Sequence, residues 1–292
     1  MNETMSKATV AELVKGINGL VTLPDVFIRI NQLVEDPDSS AADIAQAVSQ
    51  DPSFTVRLLR VANSPFYGFS STIDTVSRAV AVIGTSQIRN LALATAVARS
   101  FEGLPNDLVS MENFWHHSLY CALVARILAK RVTVRKCDSE AVFTAGLLHD
   151  IGELVIFNRM PGQAKESLLM VLDSGDEIPV YQAENQVMGF DHSEVGGELA
   201  HQWSLPPMLE ECIAYHHNVQ QAQRYPLETA VVHIANILAL MAEIDTLDSG
   251  DVSPIDPLAW EITGLVAAEV VEPVVREAQE EIAEAEKLFL GK

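Results

Sequence analysis

Basic residues are scarce in this chain: 19 Lys and Arg stand against 40 Asp and Glu, a net charge of −21. Gripping nucleic acid requires clustered Lys and Arg, so a nucleic-acid partner is not expected. The same deficit argues against docking on anionic lipid. Cysteine is nearly absent. Cys121, Cys137 and Cys212 form no C-x-x-C pair and are odd in number, which reads as reduced thiols in a cytoplasmic protein. Glycine (15) and proline (13) are few, and with helical patterning almost throughout they point to an all-α class. No glycine-rich phosphate loop, repeat or low-complexity tract occurs. The opening MNETMSKATV carries acid and no apolar segment, unlike a signal peptide. The most apolar run, Ala230 to Ala242, is interrupted by His233 and Asn236 and is too short to span a bilayer. Histidine is missing from the first 115 residues, and all eight lie between His116 and His233. The chain therefore has two chemically different halves.

What is present suffices for a large core: 292 residues, 48% hydrophobic and 20% charged, enough for one large domain or two modest ones. Helix-start signals partition the first half. Thr9 and Glu12 form a capping-box pattern ahead of a helix to Gly16, and Pro24 opens a second helix to about Glu35. Ser40 with Asp43 caps a third, Ala41 to Ser49. Asp51-Pro52 begins a fourth, to about Asn63, with Phe54, Leu58 and Val61 inward. NSPFYGFSS, Asn63 to Ser71, is a turn-rich aromatic loop, read as packing on its own helices before a recognition surface. Helices Thr75 to Ile83 and Ser86 to Phe101 complete this bundle, which ends at Gly103-Leu104-Pro105-Asn106. After about Asp245, TLDSGDVSPIDP reads as a linker. The acidic helices beyond it carry Glu277, Glu280, Glu281, Glu284 and Glu286 as a solvated face.

The chemistry gathers around Glu140 to Asn158, EAVFTAGLLHDIGELVIFN. Read as one helix, it puts Phe143, Leu147, Asp150, Ile151 and Leu154 on a single stripe. Asp150 then falls on the apolar face, where an unpaired carboxylate costs several kcal/mol. Its partner is a metal ion, a buried Arg or Lys, or a set of hydrogen-bond donors. Further ligands are at hand. His117 lines up with Cys121, Val124 and Leu128 in the helix Met111 to Arg131. His149 adjoins Asp150, His192 stands in a loop before a helix, and His216-His217 ends the helix that starts near Pro206-Pro207. Imidazole with carboxylate suits zinc, iron, manganese or nickel, and separate helices are how bundles assemble such sites. Taken singly, each histidine is more often a hydrogen-bonded core or surface residue than a ligand.

Several segments, in this order, resemble the HDOD family of bacterial signalling proteins: LPDVFIRINQLVEDPDSS, AVSQDPSFTVRLLRVANSPFYG, AVAVIGTSQIRNLAL, FWHHSLYCALVA, GLLHDIGELVI and DHSEVGGELAHQWSLP. The likeness covers 20–217. It implies an HD-domain-like helical bundle (106–245) with an additional N-terminal helical bundle (1–105), followed by the acidic C-terminal helices (246–292). It also implies kinship with the HD and HD-GYP phosphohydrolases, which hold metal through His…His-Asp…Asp. Carried over residue by residue, the metal positions are His117, His149, Asp150, His192, His216 and His217, with iron, zinc or nickel expected. The departures are specific. Asn236 replaces the closing Asp, and Glu153 stands where HD-GYP enzymes have Lys. Asn113 stands where some of them place an acid, and the Gly-Tyr-Pro segment is absent. The expected function is a signalling module working through protein partners, compatible with self-association and without phosphodiesterase activity. The alternative is a metal-dependent phosphohydrolase of unassigned substrate and catalytic residues.

Overall fold

Helix-start chemistry organises the architecture. The computed structural model describes residues 10–15, 23–63, 72–101, 108–175, 178–244 and 254–289. Among the described residues every regular element is helical. Thr9, the aromatic loop after Asn63, the Gly103–Asn106 boundary and the whole of TLDSGDV lie outside them. The chain divides into two compact units. One comprises Val21–Glu102 with Glu281–Lys292, and the other Met1–Leu20 with Gly103–Glu280.

A short helix over 10–15 (α1) belongs to the second unit. The first unit then contains α2 (Asp25–Glu35), α3 (Ala41–Ser49), α4 (Pro52–Ala62), α5 (Val76–Ile83) and α6 (Thr85–Ser100). Its caps follow the sequence signals. Ser40 and Asp43 form a reciprocal capping box, Asp51 accepts from Phe54 N at 2.9 Å ahead of Pro52, and Thr75 accepts from Arg78 N at 3.3 Å. Gly84, at φ 97°, makes the corner between α5 and α6. Phe54, Leu58 and Val61 are buried as the periodicity predicts. Asn63 clasps the far end of the next segment. Its amide donates to Leu59 O and Ile73 O and accepts from Ile73 N, each at 2.7 Å.

The second unit carries α7 (Met111–Arg131), α8 (Ser139–Leu148), α9 (Ile151–Arg159), α10 (Pro161–Asp173), α11 (Val180–Met188), α12 (His192–Gln202), α13 (Pro207–Tyr215), a 3-10 turn (Val219–Gln221), α14 (Pro226–Glu243) and α15 (Pro257–Thr263). The helix α16 (Ala267–Phe289) belongs to it as far as Glu280. α8 and α14 pack on α7, and α12 packs on α9 and α13. Two glycines permit the closest approaches. A Cβ on Gly146 of α8 would sit 2.9 Å from Ala122 Cα in α7, and one on Gly152 of α9 would sit 1.9 Å from His192 O in α12. Arg131 reaches Glu277 at 2.6 Å, so that carboxylate is partnered, a departure from the solvated face read from sequence. Among the described residues, only Pro226–Glu243 is by itself long and apolar enough to cross a membrane, and 78% of it is buried within the protein.

The single helix expected over Glu140–Asn158 is corrected. α8 ends at Leu148 and α9 starts at Ile151, with Asp150 between them at φ −98°, ψ 12°. The apolar stripe is continuous enough to mimic one helix. Backbone contact of Gly152 with α12 instead fixes the direction of α9 independently of α8. Gly152→Ala is therefore expected to destabilise the protein by about 2–3 kcal/mol in urea unfolding. Gly162→Ala is the control. A Cβ there meets nothing within 4 Å, so it should be neutral or stabilising by less than about 1 kcal/mol. Equal midpoints for the two variants would remove the argument for the break.

Candidate metal centre

The ends of four helices supply most of the centre. His149 follows the last residue of α8 and donates Nδ1–H to Gly146 O at 2.7 Å. His216 stands in the same place after α13 and donates Nδ1–H to Ile213 O at 2.9 Å. Final helical carbonyls need donors, and these imidazoles provide them. The same bonds leave each Nε2 as the nitrogen facing inward. At the start of α12, Asp191 caps Ser193 N and Glu194 N, and His192 takes the first helical position. His192 uses a carboxylate rather than a carbonyl: Glu184 Oε2 accepts from its backbone N at 2.9 Å and its Nδ1 at 2.7 Å.

Asp150 is the focus of these rings. It occupies the N-cap of α9 but makes no side-chain cap bond, although Asp is among the best capping residues. Its carboxylate turns into the cluster. Oδ2 lies 2.9 Å from His149 Nε2 and 3.6 Å from His117 Nε2, and Oδ1 lies 3.4 Å from His192 Nε2 and 3.5 Å from His216 Nε2. His217 completes the group, its Nε2 2.9 Å from that of His192 and its ring stacked 4.2 Å from Tyr181. His149 and His216 are fully buried and Asp150 is 8% exposed. The structure thus brings together all six residues singled out in the sequence. His116, His201 and His233 stay outside. His233 donates Nδ1–H to His216 O at 2.7 Å and accepts from Asp256 N at 3.0 Å. Asn113 is exposed in the first turn of α7, away from a ligand position.

The donor set fits a cation. His149 Nε2, Asp150 Oδ1 and His216 Nε2 are buried without a well-aligned hydrogen bond and face one another only as ion pairs. Buried polar atoms left in this way are where a bound ion is accommodated. Atoms about 2.0–2.2 Å from a shared ion lie roughly 3.0–3.5 Å apart in neighbouring positions, close to the spacings here. Two groups of ligand atoms, each lying within 4.8 Å of one another, gather around Asp150: His192, His216 and His217 on one side, His117 and His149 on the other. A bound ion would supply a Lewis-acid charge among these residues, and imidazole with one carboxylate suits iron, zinc or nickel before magnesium.

The electrostatic field points the same way. Burial alone would raise the Asp150 pKa, but the His149 charge and bonds from His149, His192 and His216 hold it well below the usual carboxylate range. Burial alone would lower the imidazoles. Glu243 and Asp150 outweigh it at His117, raised to about 9, and Asp150 outweighs it at His149, raised to about 10. Glu184 and Asp150 likewise raise His192 well above its ordinary value. His216 is lowered to about 4 and His217 well below its ordinary value, chiefly by burial. Burial and the Asp150 charge push the Glu153 carboxyl up to about 8.

Sequence reasoning missed Glu184, Glu243 and Tyr181. Glu184 is 2% exposed, and its one sequence signal is an acid on the inward side of a short amphipathic helix. Glu243 accepts from His117 Nδ1 at 3.1 Å, and Asn236 Oδ1 lies 3.0 Å from His117 Nε2. Asn236 thus reaches the cluster, as its place in the family motif implied.

An adjoining His-Asp pair at a helix break, ringed by histidines from neighbouring helices, is the arrangement of the HD class. The HDOD domain family matches residues 20–219, and the chain belongs to that family. A Treponema pallidum protein of uncharacterised function is 26% identical over 238 residues, which is 80% of this chain and 45% of that one. The chain therefore spans less than half of that curated relative. An HDOD domain protein of unknown function from Geobacter sulfurreducens has a TM-score of 0.70 and 26% identity, covering 97% of this chain and 99% of its own. A candidate phosphohydrolase from Shewanella amazonensis shares the fold at TM-score 0.72 and 24% identity, over 95% and 96% of the two chains. A candidate signal-transduction protein from Marinobacter aquaeolei shares it at TM-score 0.76 and 20% identity, over 99% of this chain and 66% of that one.

A cation entering this centre must displace protons, because Glu184 and Asp150 favour the protonated form of His192. Affinity for Zn2+ is therefore expected to rise with pH from 6 to 8, by about tenfold per pH unit for each proton displaced. Calorimetry in buffers of different ionisation enthalpy should register the released protons. Affinity that stays flat across this range would contradict the assignment of the buried imidazoles as ligands.

Proposed function

We propose that this chain is a signal-transduction module of the HDOD type, without phosphodiesterase activity, whose HD-derived centre binds a transition metal. The observation that carries this reading is the charge around the centre. Glu153, Glu184 and Glu243 surround Asp150 and its histidines. Among the described residues, no Lys or Arg forms an ion pair with any of these four carboxylates. Transfer of a phosphoryl group depends on positive groups placed against its oxygens. Here the positive groups are the imidazoles of His117, His149 and His192, already engaged by Glu243, Asp150 and Glu184. Glu153 takes the place of the lysine of HD-GYP enzymes, and Asn236 withholds a negative ligand.

In this reading the ion is a structural and sensory element. It joins the ends of α8, α9, α12 and α13 in one centre, so its occupancy adds to the stability of the folded unit. At a hundredfold excess over Kd that contribution is about 2.7 kcal/mol. A protein partner reads the ordered unit, and two copies of the chain could serve as partners for one another. The three free thiols fit a reducing, cytoplasmic setting. The competing reading is a metal-dependent phosphohydrolase, favoured by the His-Asp pair and its ring of imidazoles.

One assay separates them. Metal-loaded protein is given cyclic dinucleotides, nucleotides and a generic phosphodiester, with Asp150→Ala in parallel. No turnover is expected from either protein, together with metal-dependent thermal stabilisation of the wild type alone. Turnover abolished by Asp150→Ala would overturn the signalling reading in favour of the hydrolase.

A further inference from the structure

Between Cys137 and Arg224 the chain has only two basic residues, Arg159 and Lys165. Lys165 lies on α10, which rests on α9 and α11 and buries only Ala164 and Ser167. Turned away from that contact are Gly162, Lys165, Glu166, Leu169, Leu172 and Asp173, all exposed. Leu169 is 48% and Leu172 67% exposed, and a Cβ on Gly162 would meet nothing within 4 Å. At about 100° per residue these six stand within about 60° of Leu169, so they form one stripe. Most of the stripe, with Met170 beside it, lines a single depression on the surface.

The stripe is complementary to itself. Lys165 and Asp173 stand four residues to either side of Leu169. A two-fold axis through Leu169 lays a second α10 antiparallel on the first and sets each Lys165 against the other copy's Asp173. Isologous contacts are reciprocal in this way: residue i meets j, and j meets i. The same axis packs Leu169 on its own copy and places Leu172 along the methylenes of Glu166. A parallel pairing would instead set Lys165 against Lys165. Among the described residues, neither Lys165 nor Asp173 has an ion-pair partner within the chain, whereas Arg131 and Arg135 are paired with Glu277 and Glu228. Charge pairs between helices choose the partner and fix the register.

We infer that α10 is a self-association surface, through which two copies of the chain pair antiparallel about Leu169. A net charge of −21 on each copy opposes this at long range. At about 0.15 M ionic strength, screening sets in beyond about 8 Å, so the local pairs of Lys165 with Asp173 decide the register. A helix of 13 residues is about 20 Å long. Two of them bury less than the roughly 1,200 Å² of a stable complex, so the dimer is weak and depends on concentration. The inference names a partner surface for the signalling reading above and rests on that reading only for the purpose of the dimer.

Sedimentation velocity on the full chain, over a range of concentrations at about 0.15 M ionic strength, tests this. The wild type is expected to pass from monomer to dimer as concentration rises. Lys165→Asp and Asp173→Lys should each weaken association at least about tenfold, because each sets like charges face to face. The double variant, Lys165→Asp with Asp173→Lys, should restore association to near the wild-type level, and Leu169→Glu should abolish it. A misfolded single variant would not be rescued by the second change, so the restoration reads the contact itself. A wild type that stays monomeric at every concentration would overturn the inference and leave this face to a different protein. A dimer that every variant leaves unchanged, or a double variant as weak as the single ones, would overturn it as well. None of these results bears on turnover at the metal centre, which the phosphodiester assay decides, so the signalling reading stands or falls separately.

Discussion

A carboxylate held out of water among imidazoles governs the histidine-bearing unit. Asp150 gives up the cap bond it could make to α9 and turns inward, where two oxygens serve four rings. A lone buried charge of this kind costs several kcal/mol, so the surroundings must supply compensating positive charge. Protons do so in part, which is why His117, His149 and His192 are drawn toward their charged forms. His216, pushed the other way by burial, keeps its inward nitrogen bare. A metal ion would meet both conditions at once.

The backbone around Asp150 is arranged to make this convergence possible. Gly152 lets α9 meet α12 main chain to main chain, and Gly146 lets α8 press on α7. With larger residues at these places the helix ends would separate, and the imidazoles would no longer reach one carboxylate. Helix ends also suit the chemistry. A histidine just beyond a helix answers an unsatisfied carbonyl through Nδ1 and presents Nε2 to the centre, as His149 and His216 both do. One interaction thus completes the secondary structure and selects the tautomer.

The wider field bears on what such a centre can do. Family membership supplies the helical frame, and solved structures of similar fold include both phosphohydrolase and signalling candidates. Fold alone does not divide these roles, because function resides in the site. Here the site is surrounded by acids, with Glu184 behind His192 and Glu243 behind His117. That charge favours a cation.

Helix starts were legible in the sequence because capping is a local matter of three or four residues. Ser40 with Asp43, and Asp51 before Pro52, behave as their spacing dictates. The ligand types and their order along the chain were legible too, since His and Asp declare their chemistry wherever they stand. The break at His149-Asp150 was not. Its cause is the contact of Gly152 with His192, forty residues away in sequence, and an unbroken apolar stripe conceals it. The roles of Glu184, Asn236 and Glu243 likewise depend on which imidazole nitrogen they meet, and for the last two the partner is 119 and 126 residues distant. The sequence by itself determined an all-helical HDOD chain with metal-capable residues. Only the tertiary structure decided how those residues divide around Asp150, because hydrogen bonds between distant helices set the direction of every ring.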